Sequence, residues 1–236
     1  MRVGLIIPSV NVVIEHDLRL FLPEEVRAHV TRIPLTSTST SALQAALSAA
    51  PAAARLLADA GVSAVALACT GASMIAGEGG LTAAERLTQE TSLPAIDTMG
   101  ALFAAFSEVG ARRIALVSPF GEAFNAAEAA VLNAGGVDVV AMAGFGMANP
   151  ALCPDVDPEV IVERAAAIDN DRADAVFLSC ANLRALEAVA PLEARLGKPV
   201  ITSNQAVLWA LLRLCSSTAV PKDGGRLFMS SLERCQ

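Results

Sequence analysis

The chain has 236 residues, of which 54% are hydrophobic and 17% charged, and its formal net charge is −7. This length and composition fit a folded chain with one large core or two small ones, and they exclude a disordered chain. The lysines and arginines are scattered through an acidic chain, so we expect no nucleic-acid partner.

The distribution of apolar residues argues against a membrane partner as well. No apolar run approaches the roughly 18 residues that a membrane-spanning helix requires. Residues 1–7 enter a strand pattern directly and lack the layout of a signal peptide. We therefore expect a cytoplasmic protein.

The first half of the chain predicts alternating strands and helices. Apolar runs rich in Val and Ile predict buried parallel strands over residues 2–8, 26–34, 62–68 and 94–98. Helices are predicted from near Val12, over 41–60, over 82–91 and over 99–109. Thr82 and Glu85 have the spacing of a capping box, which marks the start of the third helix.

The second half starts the same pattern again. Strands are predicted over 113–119, 137–143, 173–179 and 199–204, and helices over 122–134, 158–170 and 183–196. A last helix is predicted to begin near Gln205. The segment 145–150 is predicted to be a loop, and the tail from Ser216 is polar.

The two halves share one spacing. Cys69 follows Pro8 by 61 residues, and Cys180 follows Pro119 by 61 residues as well. Equal spacing between matching strand ends predicts an α/β fold of two pseudo-symmetric Rossmann-like lobes, each with a small parallel sheet flanked by helices. The active site would lie in the cleft between the lobes, where the strand ends converge. The plainer alternative is the ordinary strand–helix repetition of a doubly wound protein.

Five cysteines and two histidines are present. An odd number of widely spaced cysteines argues against a disulfide framework. No Cys-x-x-Cys pair occurs, and His16 and His29 lack the spacing of metal ligands, so no metal site is predicted. Because cysteine often packs as a small hydrophobe, Cys153, Cys215 and Cys235 are assigned to packing.

Cys69 and Cys180 are the candidate catalytic residues, because both stand at the functional ends of predicted strands. Free backbone N–H groups at such junctions lower the pKa of a thiol. Two thiols on opposite sides of one carbon suit proton removal on one side and return on the other. They equally suit addition of one thiolate to a double bond, with the other thiol as proton donor.

Small and polar residues near the two cysteines are candidate substrate ligands. Thr70 and the backbone amides around Gly71 and Ala181 could bind a carboxylate. Asn11 and Ser9 follow the first strand and could equally cap the next helix. Asn149 precedes a proline and could be an ordinary turn residue.

Four motifs together resemble one superfamily. They are Pro8-Ser9-Val10-Asn11, Cys69-Thr70, Ser179-Cys180-Ala181-Asn182-Leu183-Arg184 and Ser203-Asn204-Gln205-Ala206. Nearly the whole chain resembles the aspartate/glutamate racemase superfamily, and within it the branch of maleate cis–trans isomerases and arylmalonate decarboxylases.

The resemblance implies a cofactor-free isomerase of a small carboxylate, working as a homodimer. Cys69 would add to the alkene, Cys180 would be the partner acid or base, and maleate would become fumarate. Asn11 and Asn149 match positions that bind substrate carboxylates in that family, and Thr70 and the Ala181 amide would complete the cradle. We expect residues 1–98 plus 205–236 to form one lobe and 99–204 the other.

One departure from the family leaves the substrate open. The family generally has Tyr after the proline that ends the fifth strand, and this chain has Phe120 there and no Tyr at all. Three alternatives therefore remain. They are an aspartate, glutamate or hydantoin racemase with two cysteine bases, an arylmalonate-type decarboxylase, and a non-catalytic small-anion binder. Cys69 argues against the decarboxylase, which usually has a small residue at that position.

Overall fold

The computed structural model describes residues 1–75, 78–221 and 224–233. The first half contains the strands β1 (Arg2–Pro8), β2 (Arg27–Ile33), β3 (Val65–Leu67) and β4 (Ala95–Asp97). They form a parallel sheet in the order β2-β1-β3-β4. The second half contains β5 (Arg113–Phe120), β6 (Asp138–Met147), β7 (Ala175–Leu178) and β8 (Val200–Thr202), in the order β6-β5-β7-β8. The predicted pair of parallel sheets flanked by helices is confirmed.

The strand register repeats as well as the strand order. Gly4 pairs with Val65 in the first sheet, and Ala115 pairs with Val176 in the second. Both pairs join residues 61 positions apart, which is the spacing found between the strand ends in the sequence. Strands β1, β3, β5, β7 and β8 are almost fully buried, as parallel strands covered by helices on both faces are, whereas the edge strands β2, β4 and β6 are only partly buried.

Helices cover both sheets. In the first half they are α1 (Ile14–Phe21), α2 (Thr40–Asp59), α3 (Thr70–Ser73), α4 (Ala83–Thr91) and α5 (Thr98–Glu108), with a 3₁₀ turn at Glu78–Gly80. In the second half they are α6 (Glu122–Ala134), α7 (Pro158–Ile168), α8 (Leu186–Leu196), α9 (Ser203–Leu214) and α10 (Gly225–Glu233), with a 3₁₀ turn at Pro150–Asp155. The predicted capping box of Thr82 and Glu85 begins α4. None of the described helices is both long and apolar enough to cross a bilayer.

Two predicted elements were wrong in detail, and one helix was not predicted. The predicted loop 145–150 is strand as far as Met147, because β6 stays paired with β5 beyond an irregularity in the register. The predicted helix 183–196 begins only at Leu186. The tail contains α10, where Leu227 and Phe228 are buried against the rest of the chain.

Helices α5 and α9 join the two halves by packing on each other. Phe106 of α5 meets Phe177 of β7 edge to face, with ring centroids 5.6 Å apart. Helix α9 contacts β3 and β4 of the first sheet, whereas α10 contacts α5, α8 and β8. The carboxyl ends of the central strands of both sheets therefore open on one cleft.

Candidate active site

The cleft is built from segments that follow the central strands of both sheets. Pro8, Val10 and Asn11 follow β1, Cys69 to Gly71 follow β3, Phe120 ends β5, and Cys180 to Asn182 follow β7. The remaining lining comes from Leu35, Thr38, Leu43, Phe124 and Pro150. The structure thus brings Cys69 and Cys180 to one cleft, as the spacing of the repeat predicts.

Cys69 is the N-cap residue of the short helix α3 and has extended backbone geometry. Its side chain is buried, and burial raises the pKa of the thiol to about 11, partly opposed by hydrogen bonds from the backbone of Ala72 and Gly71. A side chain at Gly71 would crowd α2, because a Cβ there would lie 2.9 Å from Leu43 Cδ2. The sulfur of Cys69 therefore carries its proton at neutral pH.

Cys180 has a backbone φ of 104°, a region that residues with a side chain rarely adopt. Its N–H donates to Ser203 Oγ at 3.1 Å, and its Sγ accepts from the N–H of Asn182 at 3.4 Å. These two bonds hold the main chain and the sulfur at a bend between strand and loop.

A third thiol accompanies Cys180. Cys153, in the turn Pro150–Asp155, is completely buried and belongs to the same apolar cluster as Cys180. A hydrogen bond with Cys153 is the largest cause that raises the pKa of Cys180, and burial adds to it. In this pair Cys180 is the thiol that keeps its proton. This contact could not be predicted from the sequence, because Cys153 lies outside the motifs at the strand ends.

Asparagine and hydroxyl side chains tie the two halves together around the cysteines. Asn11 Nδ2 donates to the carbonyl of Ala181 at 2.8 Å, while its Oδ1 accepts from the N–H groups of Val13 and Ile14. Asn11 therefore accepts from the first N–H group of α1 but is not its N-cap residue, which is Val13. Thr70 Oγ1 donates to Ser203 Oγ at 3.0 Å.

Asn182 makes three further links and was not among the predicted ligands. Its Oδ1 accepts from the N–H of Val12 at 2.9 Å, and its Nδ2 donates to the carbonyls of Val10 at 3.2 Å and Pro150 at 2.9 Å. Its position directly after Cys180 and Ala181 could have identified it in the sequence as a residue of the site.

The described lining of the cleft contains backbone donors for an anion but no charged side chain. Within the described part of the chain, the N–H groups of Thr70 and Ala181 donate no hydrogen bond. None of the described residues that line the cleft is Lys, Arg, His, Asp or Glu. The described residues also contain no group of three or more His, Cys, Asp or Glu side chains that could hold a metal ion. An anion would therefore be held by peptide dipoles.

Aromatic and aliphatic side chains form the opposite wall. Phe120 and Phe124 pack at a tilt with centroids 4.5 Å apart, and Leu35 and Leu43 extend the apolar surface. Phe120 thus lines the cleft, as predicted. Phe124, Leu35 and Leu43 were missed, because none of them belongs to the motifs at the strand ends.

Two predicted substrate ligands lie outside the lining. Ser9 is exposed, and its Oγ bonds to the backbone of Leu35 through both the carbonyl and the N–H. Asn149 is exposed, and its Oδ1 accepts from the N–H of Ala151 at 3.0 Å to cap the turn Pro150–Asp155. The side chains of both residues therefore form hydrogen bonds with backbone groups outside the cleft lining.

Comparison with known proteins agrees with this arrangement. The family model of arylmalonate decarboxylase matches residues 3–228. The chain belongs to this family. The predicted branch is thereby confirmed, and the match spans both lobes of the fold.

Among the relatives in this family are maleate isomerases. The chain is 28% identical to the maleate isomerase of Pseudomonas putida over 240 residues, covering 96% of each chain. A Cys-to-Ala variant of the maleate isomerase of P. putida S16, solved with maleate, superposes with a TM-score of 0.92 at 26% identity, covering 98% of each chain. A Cys-to-Ser variant of the Nocardia farcinica enzyme, solved with a covalently bound succinylcysteine intermediate, gives a TM-score of 0.86 at 25% identity, covering 96% of this chain and 97% of that one.

Proposed function

We propose that this member of the family is a cofactor-independent isomerase that converts maleate to fumarate through a cysteine adduct. The observation that carries the proposal is the pair of thiols, Cys69 and Cys180, that line one cleft from equivalent ends of two sheets. The relatives named maleate isomerase support the choice of substrate, and the bound succinylcysteine in one of them supports the choice of chemistry.

The reaction starts from the thiolate of Cys69 and the thiol of Cys180. The Cys69 sulfur forms a bond to one alkene carbon, and the π electrons move to the neighbouring carbon, which takes the proton of Cys180. The result is a succinyl group on Cys69 with a single bond between the two carbons. After rotation about that bond, the Cys180 thiolate removes a proton, the C–S bond breaks, and fumarate leaves with both cysteines in their starting forms.

Backbone amides hold the substrate during these steps. We assign one carboxylate to the N–H groups of Thr70 and Ala181, with Gly71 allowing close approach and Asn11 fixing the position of Ala181. Phe120 faces the substrate from the apolar wall. Ser9 and Asn149 contribute through the loops that they hold.

The test is incubation of the purified chain with maleate, followed by proton NMR. We expect fumarate to accumulate with the wild type and turnover to fall at least about 10³-fold for Cys69→Ala and Cys180→Ala, since each removes a reacting group. Cys215→Ala is the matched control, because Cys215 lies at the end of α9 outside the cleft. Absence of fumarate with folded wild-type protein would refute the proposal.

We further propose that the lobes consist of residues 1–98 plus 205–236 and of residues 99–204, in a cytoplasmic homodimer. The contacts of α9 with β3 and β4 and of Phe106 with Phe177 support the exchange of helices between the halves. Helix α10 contacts elements of the second lobe and so lies across the division. Light scattering on the eluted protein tests the dimer, since a monomeric mass would exclude it.

A further inference from the structure

Two buried carboxyl groups lie outside the cleft and take no part in the reaction described above. Asp17 on α1 is 1% exposed and Glu128 on α6 is completely buried. They are equivalent in the repeat, because Asp17 follows Pro8 by nine residues and Glu128 follows Pro119 by nine residues. Buried carboxyl groups at matching positions call for a common explanation, since each is expensive to remove from water.

Both groups reach the residues that flank Cys180. Glu128 Oε1 accepts from Ser179 Oγ at 2.5 Å, and Ser179 directly precedes Cys180. Asp17 Oδ2 accepts from Asn204 Nδ2 at 2.6 Å, and the same nitrogen donates at 3.1 Å to the carbonyl of Ala181, which directly follows Cys180. One carboxyl group therefore acts on each side of the cysteine.

Among the described residues, Cys69 has no such pair of carboxyl groups beside it. The residues equivalent to Ser179 and Asn204 are Ala68 and Met99, which offer no side-chain hydrogen bond. The backbone of Cys69 is extended, at a φ of −148°, whereas that of Cys180 lies at +104°. Ser73 Oγ donates to the carbonyl of Cys69 at 2.9 Å, whereas the two buried carboxyl groups support Cys180, whose backbone is in the disfavoured region.

We propose that Asp17 and Glu128 are positioning residues that hold the strained main chain of Cys180 so that its thiol meets the substrate. The proposal rests on the proton-donor role assigned to Cys180. The second oxygen of each carboxyl group, Asp17 Oδ1 and Glu128 Oε2, has no hydrogen-bond partner among the described residues.

Charge around the two groups differs. Burial raises the pKa of both to about 7. Arg184 and Glu187 act on Asp17 with opposite signs, while Ser179 is the partner of Glu128. Since Ser179 and Asn204 are donors, their bonds persist whether the carboxyl groups are neutral or ionised.

The test compares a variant that lacks the hydrogen-bond acceptor with a variant that keeps it. Glu128→Leu removes the acceptor for Ser179, whereas Glu128→Gln keeps an acceptor and cannot ionise. We expect the leucine variant to lower kcat for maleate about 10- to 100-fold with little change in KM, because a misplaced donor acts on the chemical step. We expect the glutamine variant to keep most of the wild-type kcat. Asp17→Leu and Asp17→Asn form the second pair.

Alkylation by iodoacetamide supplies a readout that needs no turnover. Peptide mass spectrometry gives the labelling rates of Cys180 and Cys69 in the same molecule, so Cys69 is the internal reference. We expect Glu128→Leu to change the Cys180/Cys69 rate ratio at least about threefold and Glu128→Gln to restore it. The ratio remains informative even if maleate proves not to be the substrate, so failure of the proposed function would be seen separately.

Glu193 supplies the matched control. It is a carboxyl group of the second lobe that is only partly buried. Its partners are the N–H groups of Val200 and Arg226, away from Cys180. Glu193→Gln should leave kcat and the labelling ratio unchanged. If Glu128→Leu fails to fold, Ser179→Ala removes the same hydrogen bond. An unchanged ratio and kcat in folded Ser179→Ala and folded Asp17→Leu would overturn the proposal.

Discussion

The Cys69 sulfur is buried among apolar groups, and the proposed mechanism requires it to become a thiolate before it attacks. Its pKa of about 11 means that the reactive form is a small fraction at neutral pH. Each increase of one pH unit below that value raises the thiolate fraction about tenfold. We therefore expect kcat/KM to rise from pH 7 towards pH 10, as measured by fumarate formation in buffers of constant ionic strength. A profile that is flat above pH 8 would show that Cys69 ionises at a lower pH.

Cys153 lies beside Cys180 and influences its protonation. Their hydrogen bond raises the pKa of Cys180, so its removal should lower that pKa. We expect Cys153→Ala to shift the pH dependence of Cys180 alkylation to lower pH and to weaken turnover at high pH, where Cys180 then lacks its proton. The rate of Cys69 alkylation, measured in the same digest, is the reference. An alkylation profile of Cys180 identical to that of the wild type would contradict this role.

At the scale of elements, the short helix α3 fixes the distance between Cys69 and the wall of the cleft. A Cβ on Gly71 would lie 2.9 Å from Leu43 Cδ2 and 3.5 Å from Phe124 Cζ. We expect Gly71→Ala to displace α3 from α2 and to reduce kcat/KM at least about tenfold. The free energy of unfolding should fall by about 1–3 kcal/mol, the usual effect of overpacking. Urea titration measures the second quantity, and unchanged activity would show that the contact relaxes freely.

The strands and their ends could be predicted because buried parallel strands leave continuous apolar runs with polar residues after them. Pro8, Cys69, Pro119 and Cys180 marked these ends, and their equal spacing paired the lobes. Helix α10 could not be predicted in the same way, since Leu227 and Phe228 stand in a polar tail and are buried only by tertiary contacts with α5 and α8. Tertiary contacts likewise decide which side chains reach the cleft. The side chain of Phe124 on α6 lines the cleft, whereas the side chain of Asn149 caps its own turn.

Across the whole molecule, the two buried carboxyl groups make stability depend on pH. In the folded chain Asp17 and Glu128 keep their protons up to a pH of about 7, whereas in the unfolded chain they ionise near their usual values of 3.8 and 4.5. The folded state therefore binds more protons between about pH 4 and pH 7. Their contribution to stability is present below that window and is lost as the pH rises through it.

Replacing both carboxyl groups by amides tests this dependence. For Glu128 the pKa rises from 4.5 to about 7 on folding. At about 1.4 kcal/mol per pKa unit, this lowers the free energy of unfolding above pH 7 by an amount of the order of 3 kcal/mol relative to low pH. We expect the free energy of unfolding of Asp17→Asn/Glu128→Gln, minus that of the wild type, to increase from pH 4 to pH 7 and then to level off. Urea titrations at each pH measure this difference directly. A difference independent of pH would mean that water or a neighbouring charge keeps both groups ionised in the folded chain.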